Sequence, residues 1–321
     1  MKATHERVVV HTESDLLEMV PVLLGFHPSD SIVVLFLDRR GVMLTTRTDL
    51  GVCAALDDPT VPLDPALVRL ADRSDVRVVV VGYGDDRSSV ADVVTRMADG
   101  IGHDVLFAAV IVGGRWWFLD DGPFDPGRPY DPASRSAASL GSRPIRSSRQ
   151  EIEDSIGPVR GRRARAVRRV WARSRRDLAA MRAPDKARRV REALDAACRD
   201  VTGGVPLAAD RLAFLAAVAA DSEARDVYWW MLDPSTAEGF IEVWSAVVRA
   251  TPRRRSGPAL CLLGMAAWLA GEGAMLSICL LRAGAIDPRC PLVGILDAVS
   301  RNLLPPSLWS EMRGEPDGAA A

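Results

Sequence analysis

The apolar residues change their period partway along the chain. Up to residue 119 they come mostly as short continuous runs, at 31–37, 76–81 and 105–112, each the length of a buried strand. From about residue 150 onward they recur every three or four positions, and no convincing strand follows. Between them, residues 120–144 are rich in Gly, Pro, Asp and Ser and read as a connection. The fold expected is α+β or mixed α/β at the N-terminal end, followed by an all-α domain. The expected boundaries are 1–144 for the mixed domain, 145–313 for the helical one and 314–321 for a flexible tail.

Within the first part, residues 8–11 read as an edge strand. Thr12 then suits a helix N-cap with Glu13 and Asp15 in the first turn, and Gly25 suits the C-cap. The run at 31–37, the turn Asp38-Arg39-Arg40-Gly41 and the alternating run at 42–50 predict a hairpin. Residues 59–65 read as loop. Short helices at 66–73 and 88–99 flank the strand at 76–81. The strand at 105–112 turns back at Gly113-Gly114 into 115–119. About five strands result, in a mixed sheet covered by helices.

In the second part, Ser148 and Glu151 read as a capping box. Helices are predicted near 162–182, 185–200, 207–220, 223–231, 235–250, 258–270, 273–285 and 291–303. The most apolar stretch, 258–281, is broken by Gly271-Glu272-Gly273, so neither half has the length to cross a bilayer. Residues 257–290 have the layout of a tetratricopeptide-like helical hairpin. Leu263-Gly264 and Trp268 lie in the first helix, Gly271 in the turn, Ala283 in the second helix, and Asp287-Pro288 stop it. Such a unit either packs onto its own domain or presents a partner-binding surface; alone it forms no peptide groove.

Net charge is −1, so no global field draws the chain to DNA or to an anionic membrane. The N-terminal segment is too charged for a signal peptide. Five cysteines, Cys53, Cys198, Cys261, Cys279 and Cys290, lack paired spacing and read as free thiols in a reducing, cytoplasmic compartment. Four scattered histidines give no metal-ligand spacing, and no cofactor is expected.

Three places can hold function. Arg162, Arg165, Arg169, Arg173 and Arg176 recur at three- and four-residue steps, which makes one helix face strongly cationic. That face is either a phosphate-binding surface or a solvated one. His27, Ser29, Asp30 and Ser31 enter the first strand, and Arg47 and Asp49 share a face of the second. These would serve as general base, orienter and nucleophile if they met, though turn formation and capping explain the same residues. Gly82-Tyr83-Gly84, between a strand and a helix, lacks the lysine of a phosphate loop and the third glycine of a dinucleotide fingerprint. Trp116-Trp117 reads as a core anchor. The expected function is a protein-interaction or regulatory role with a protein partner and no membrane. Catalysis or small-molecule binding near the hairpin is the alternative, and nucleic acid the least expected partner.

Gly25-Phe26-His27-Pro28-Ser29-Asp30-Ser31 before an apolar strand, Arg47-x-Asp49-Leu50 and Gly114-Arg115-Trp116-Trp117 together resemble the actinobacterial family called domain of unknown function 4192. Ser148-Arg149-x-Glu151 and the late Ala-Trp-Leu-x-Gly-Glu-Gly-Ala fit it too. The resemblance spans nearly the whole chain. It implies the architecture and a cytoplasmic setting, and it brings no activity with it. Some members carry cysteines in the loop after the tryptophan pair. None stands there here, so metal or redox chemistry at that loop does not carry over.

Overall fold

The computed structural model describes residues 10–63, 65–102, 105–132 and 145–313. The chain divides into two compact units, Met1–Arg149 and Gln150–Ala321. The expected edge strand at 8–11 lies mostly outside the described residues, and the tail at 314–321 lies wholly outside them.

In the first unit, α1 (Glu13–Leu24) starts at Thr12. The Thr12 side chain accepts from the Asp15 amide while Asp15 accepts from the Thr12 amide, and Gly25 closes the helix at φ +78°. The strands are β1 (Ser31–Asp38), β2 (Gly41–Asp49), β3 (Arg77–Tyr83), β4 (Val105–Val112), β5 (Arg115–Phe118) and β6 (Arg128–Pro129). They form one six-stranded sheet in the order β2-β1-β3-β4-β5-β6. Only β3 and β4 run parallel, because α4 (Arg87–Ile101) carries the crossover between them. Two short helices, α2 (Leu50–Ala54) and α3 (Pro65–Ala71), complete the unit.

The sheet is one strand wider than the expected five. The two-residue β6 lies in sequence that reads as connection, and only its pairing with β5 makes it a strand. The sheet buries both faces. Leu16, Leu17 and Val20 of α1 pack on Val33, Leu35, Val79, Val81, Tyr83, Ala109, Ile111 and Trp116. On the other face α4 brings Val90, Val93, Val94 and Met97. Gly82 and Gly84 permit this approach. A Cβ on Gly82 would collide with methyls of Val90 and Val94, and one on Gly84 would sit 2.6 Å from Val90.

The second unit is helical: α5 (Arg149–Ser155), α6 (Arg162–Ala180), α7 (Ala183–Thr202), α8 (Ala209–Ala220), α9 (Ser222–Met231), α10 (Ala237–Ala250), α11 (Gly257–Leu269), α12 (Gly273–Ile286), α13 (Pro291–Arg301) and α14 (Ser307–Met312). α11 is apolar on every side and is buried at every residue except Pro258, so it forms the centre of the unit. It is the first arm of a helical hairpin with α12. Gly271 makes the turn at φ +74°, and a Cβ on Gly264 would already lie 3.2 Å from Cys279 and 3.0 Å from Leu296. The buried Tyr228 hydroxyl donates to the Leu262 carbonyl at 3.0 Å. The buried Lys186 ammonium donates to Glu223 at 2.6 Å and lies 3.6 Å from Asp221, which ties α7 to α9.

Candidate functional site

The hairpin corner is built where β1 starts and β2 ends. Asp30 holds the left-handed region at φ +42°, and its carbonyl accepts from the Leu50 amide at 2.9 Å. Ser31 is fully buried. Its hydroxyl donates to the Ser29 carbonyl at 2.5 Å and accepts from Arg47 Nε at 2.7 Å. A second Arg47 nitrogen donates to the Ser29 carbonyl at 3.3 Å and lies 3.6 Å from the Asp49 carboxylate. Burial lowers the Arg47 pKa, and Asp49 partly offsets that. The other Asp49 oxygen accepts from the Gly51 amide and caps α2.

Of the six residues singled out at this corner, Ser31, Arg47 and Asp49 therefore meet through their side chains, and Ser29 takes part through its carbonyl. Asp30 takes part through its backbone. The His27 amide donates to the Arg146 carbonyl at 2.9 Å, and its imidazole has no hydrogen-bond partner among the described residues. Chemically the corner is a strut. The Ser31 proton goes to a carbonyl rather than to a base, and both arginine contacts stabilise the turn.

The strand registers extend this corner into a line. Asp49 pairs with Ser31, Ser31 with Tyr83, Tyr83 with Ile111, Ile111 with Trp116 and Trp116 with Arg128. One row of six residues thus crosses the whole sheet on the α1 face, five of them polar or polar-tipped. Beside it, Tyr130 meets Tyr83 edge-on with centroids 6.3 Å apart. The Tyr83 and Tyr130 hydroxyls and the Trp116 indole nitrogen are buried, and none has a partner with hydrogen-bond geometry among the described residues. Burial pushes the Tyr83 hydroxyl well above its ordinary value and the Tyr130 hydroxyl up to about 12.

The loop between β5 and β6 is held rigidly. The Trp117 indole donates to the Asp125 carbonyl at 2.9 Å, and Arg115 donates to the Pro126 and Gly127 carbonyls. Arg87 stacks 4.8 Å from the Trp117 ring and donates to the Asp121 and Gly122 carbonyls. Arg128 pairs with Asp121 at 2.5 Å and stacks on Trp116 and Phe118. Its tip, Phe124, is 97% exposed.

In the second unit, α6 buries Ala164, Val167 and Leu178 and presents its arginines to solvent. Arg162, Arg165, Arg169 and Arg173 are all exposed. Arg173 lies 3.5 Å from Asp177, which is the ion pair this helix makes among the described residues; Asp177 is also the one carboxylate between residues 160 and 182, against ten arginines. Beside that face is a cleft of about 300 Å³ lined by Trp171, Ala172, Arg175, Arg176 and Ala179. Two guanidiniums rest on the Trp171 ring, Arg255 at 4.3 Å from its centroid and Arg175 at 5.2 Å. Sequence reading finds the arginine stripe but not this cluster. Arg255 stands 84 positions from Trp171 on a short turn of helix, Arg253–Arg255, and only the fold joins them.

The remaining features are structural. α11 is enclosed by its own unit, so the first arm of the hairpin presents no docking face. Gly82 and Gly84 serve packing against α4. Among the described residues no three His, Cys, Asp or Glu side chains are grouped as a metal ion would require, and no helix is long and apolar enough to cross a membrane. A family model described as Domain of unknown function (DUF4192) matches residues 14–307. No curated protein and no solved structure matches the chain.

Proposed function

Because the chain belongs to the family described as Domain of unknown function (DUF4192), whose description names no activity, we propose a function from the surface alone: the protein acts by binding an acidic protein partner rather than by catalysis. One observation carries this reading, the exposed arginine face of α6 with a single carboxylate among its eight arginines. Guanidiniums in such a row bind carboxylates bidentately, and their mutual repulsion falls when an acidic surface covers them. A protein partner is favoured over nucleic acid on two grounds. The Trp171 ring already carries two guanidiniums, which compete with any base for its faces. Residues 1–149 hold 21 acidic against 16 basic side chains and repel a long polyanion. The five unpaired cysteines and the arginine-biased composition support a cytoplasmic setting in an actinobacterial cell. The α11–α12 hairpin is tetratricopeptide-like in layout and, in this reading, scaffolds the arginine face.

The test is titration of the purified chain with a short fluorescent glutamate peptide, whose reach is limited to the arginine face. Binding is expected at low salt, with loss at higher salt and in an R162Q/R165Q/R169Q/R173Q variant that keeps its helical circular dichroism. Equal binding by that variant overturns the reading.

A second reading is favoured by the buried hydroxyls of Tyr83 and Tyr130, which face each other, and the Trp116 indole nitrogen, which has no hydrogen-bond partner among the described residues: a small ligand rich in acceptor oxygens, bound under α1. A thermal-shift panel of small carboxylates and phosphate esters tests it. A stabilising compound whose effect disappears in Y83F supports the site, and a flat panel removes it.

A further inference from the structure

Three of the five cysteines gather within the second unit. Cys261 lies on α11, Cys279 on α12, and Cys290 is the N-cap of α13. These helices pack closely because Gly264 carries no side chain: a Cβ there would lie 3.2 Å from Cys279 and 3.0 Å from Leu296 of α13. Cys261 stands three positions before Gly264, on the same face of α11, and Cys290 stands before Leu296 at the start of α13. There the Cys261 and Cys290 thiols face each other, and both are free. Their exposure differs. Cys261 is 1% exposed and Cys279 is fully buried, whereas Cys290 is partly exposed. Burial pushes the Cys261 thiol up to about 12, so it is protonated at neutral pH and inert toward reagents in solvent. Packing alone accounts for Cys279. Cys261 and Cys290 differ from it, because one residue of the pair reaches solvent and faces the other.

We propose that Cys261 and Cys290 form a reversible, peroxide-driven disulfide that clamps α13 to α11. The step balances within the pair. A peroxide oxidises the Cys290 sulfur: the O–O bond breaks, one oxygen stays on sulfur as a sulfenic acid, and the other leaves as water. The Cys261 sulfur then attacks the Cys290 sulfur. The S–S bond forms as the S–O bond breaks, and the Cys290 hydroxyl leaves as water with the Cys261 proton. Two thiols and one peroxide thus give one disulfide and two waters, and two small-molecule thiols reverse the bond by exchange. Cys279, fully buried on α12, is not reached by the oxidant. The bond closes the chain between residues 261 and 290 into a loop, which restrains the unfolded second unit. This inference does not depend on the arginine face of α6.

Peptide mass mapping of the full chain tests it. The reduced protein is treated with hydrogen peroxide, its remaining thiols are alkylated in denaturant, and the peptides are separated without reductant. The expected product is a single chain lighter by two hydrogens, with Cys261 linked to Cys290 and with Cys53, Cys198 and Cys279 alkylated. Dithiothreitol is expected to reverse it. The linked chain is expected to unfold at higher urea than its reduced form. In C261A, Cys290 is expected to stop at the sulfenic acid and to be trapped by dimedone. In C290S, Cys261 is expected to stay reduced. Circular dichroism checks that both variants fold, and the wild-type map decides the matter if either does not. Wild-type Cys290 that takes up dimedone without linking, a link that joins any other pair, or Cys261 that oxidises as fast in C290S as in wild type overturns the proposal. So does a linked chain that unfolds at the same urea concentration as the reduced one.

Discussion

Ser31 shows how a single hydroxyl can carry a corner. It is fully buried, it satisfies Arg47 Nε, and it also donates to the Ser29 carbonyl. Removing it leaves a half-buried guanidinium nitrogen without its acceptor. Ser31→Ala is expected to lower stability by about 1–3 kcal/mol, measured by urea denaturation. Ser31→Thr, which keeps the oxygen, should cost less unless its added methyl meets the packed sheet. At this scale the sequence is partly legible. Arg47 and Asp49 can be placed on one face from their spacing alone, and the structure brings them within 3.6 Å. What spacing does not reveal is that Ser31 and Arg47 share the Ser29 backbone carbonyl, because a serine proton can as readily face a carbonyl as a base. The Trp171 cluster is hidden for another reason. Its two guanidiniums come from distant parts of the chain, and no local pattern links residue 171 to residue 255.

Elements are legible wherever periodicity sets them. The predicted helix at 273–285 matches α12 to one residue, and β1 and β4 match the apolar runs. Elements defined by partners are not. β6 is two residues long and exists because Arg115 and Trp116 pair with it. α2 is five residues long and exists because Asp49 caps it. The β5–β6 loop belongs to the same class, since its order comes from side chains reaching back to carbonyls. It carries a pH dependence whose sign is fixed. Hydrogen bonding to Arg128 holds the Asp121 carboxyl below its ordinary value. The folded loop therefore gains stability that is fully present above the ordinary carboxylate value, about pH 4, and is lost as pH falls through the lowered one. Tryptophan fluorescence from Trp116 and Trp117, which flank the pair, is expected to change in that acid range. Asp121→Asn should remove that part of the transition while leaving the rest of the acid profile in place.

Across the whole molecule, the two units differ in the sign of their charge. Residues 150–321 hold 25 basic against 21 acidic side chains, the reverse of the balance in residues 1–149. The cysteines are divided as well, and so they report on each unit separately. Cys53 is buried in the first, and Cys261 and Cys279 in the second. Burial raises all three thiols above their ordinary value, Cys261 to about 12. At pH 8 these three are expected to resist alkylation in the native protein. Under rising denaturant, peptide mass mapping should show Cys53 labelling at one midpoint and Cys261 with Cys279 together at another if the units open independently. A single common midpoint would show that they unfold as one. The all-round apolar helix α11 also has a consequence for how the chain is made. A ribosome releases α6 through α10 before the helix they surround, so their inward faces have no centre to close on until residue 269 has left the exit tunnel. During that interval the nascent second unit is the part most in need of a chaperone. A chain terminated just before Gly257 would remain in that state permanently and be cleared rather than folded.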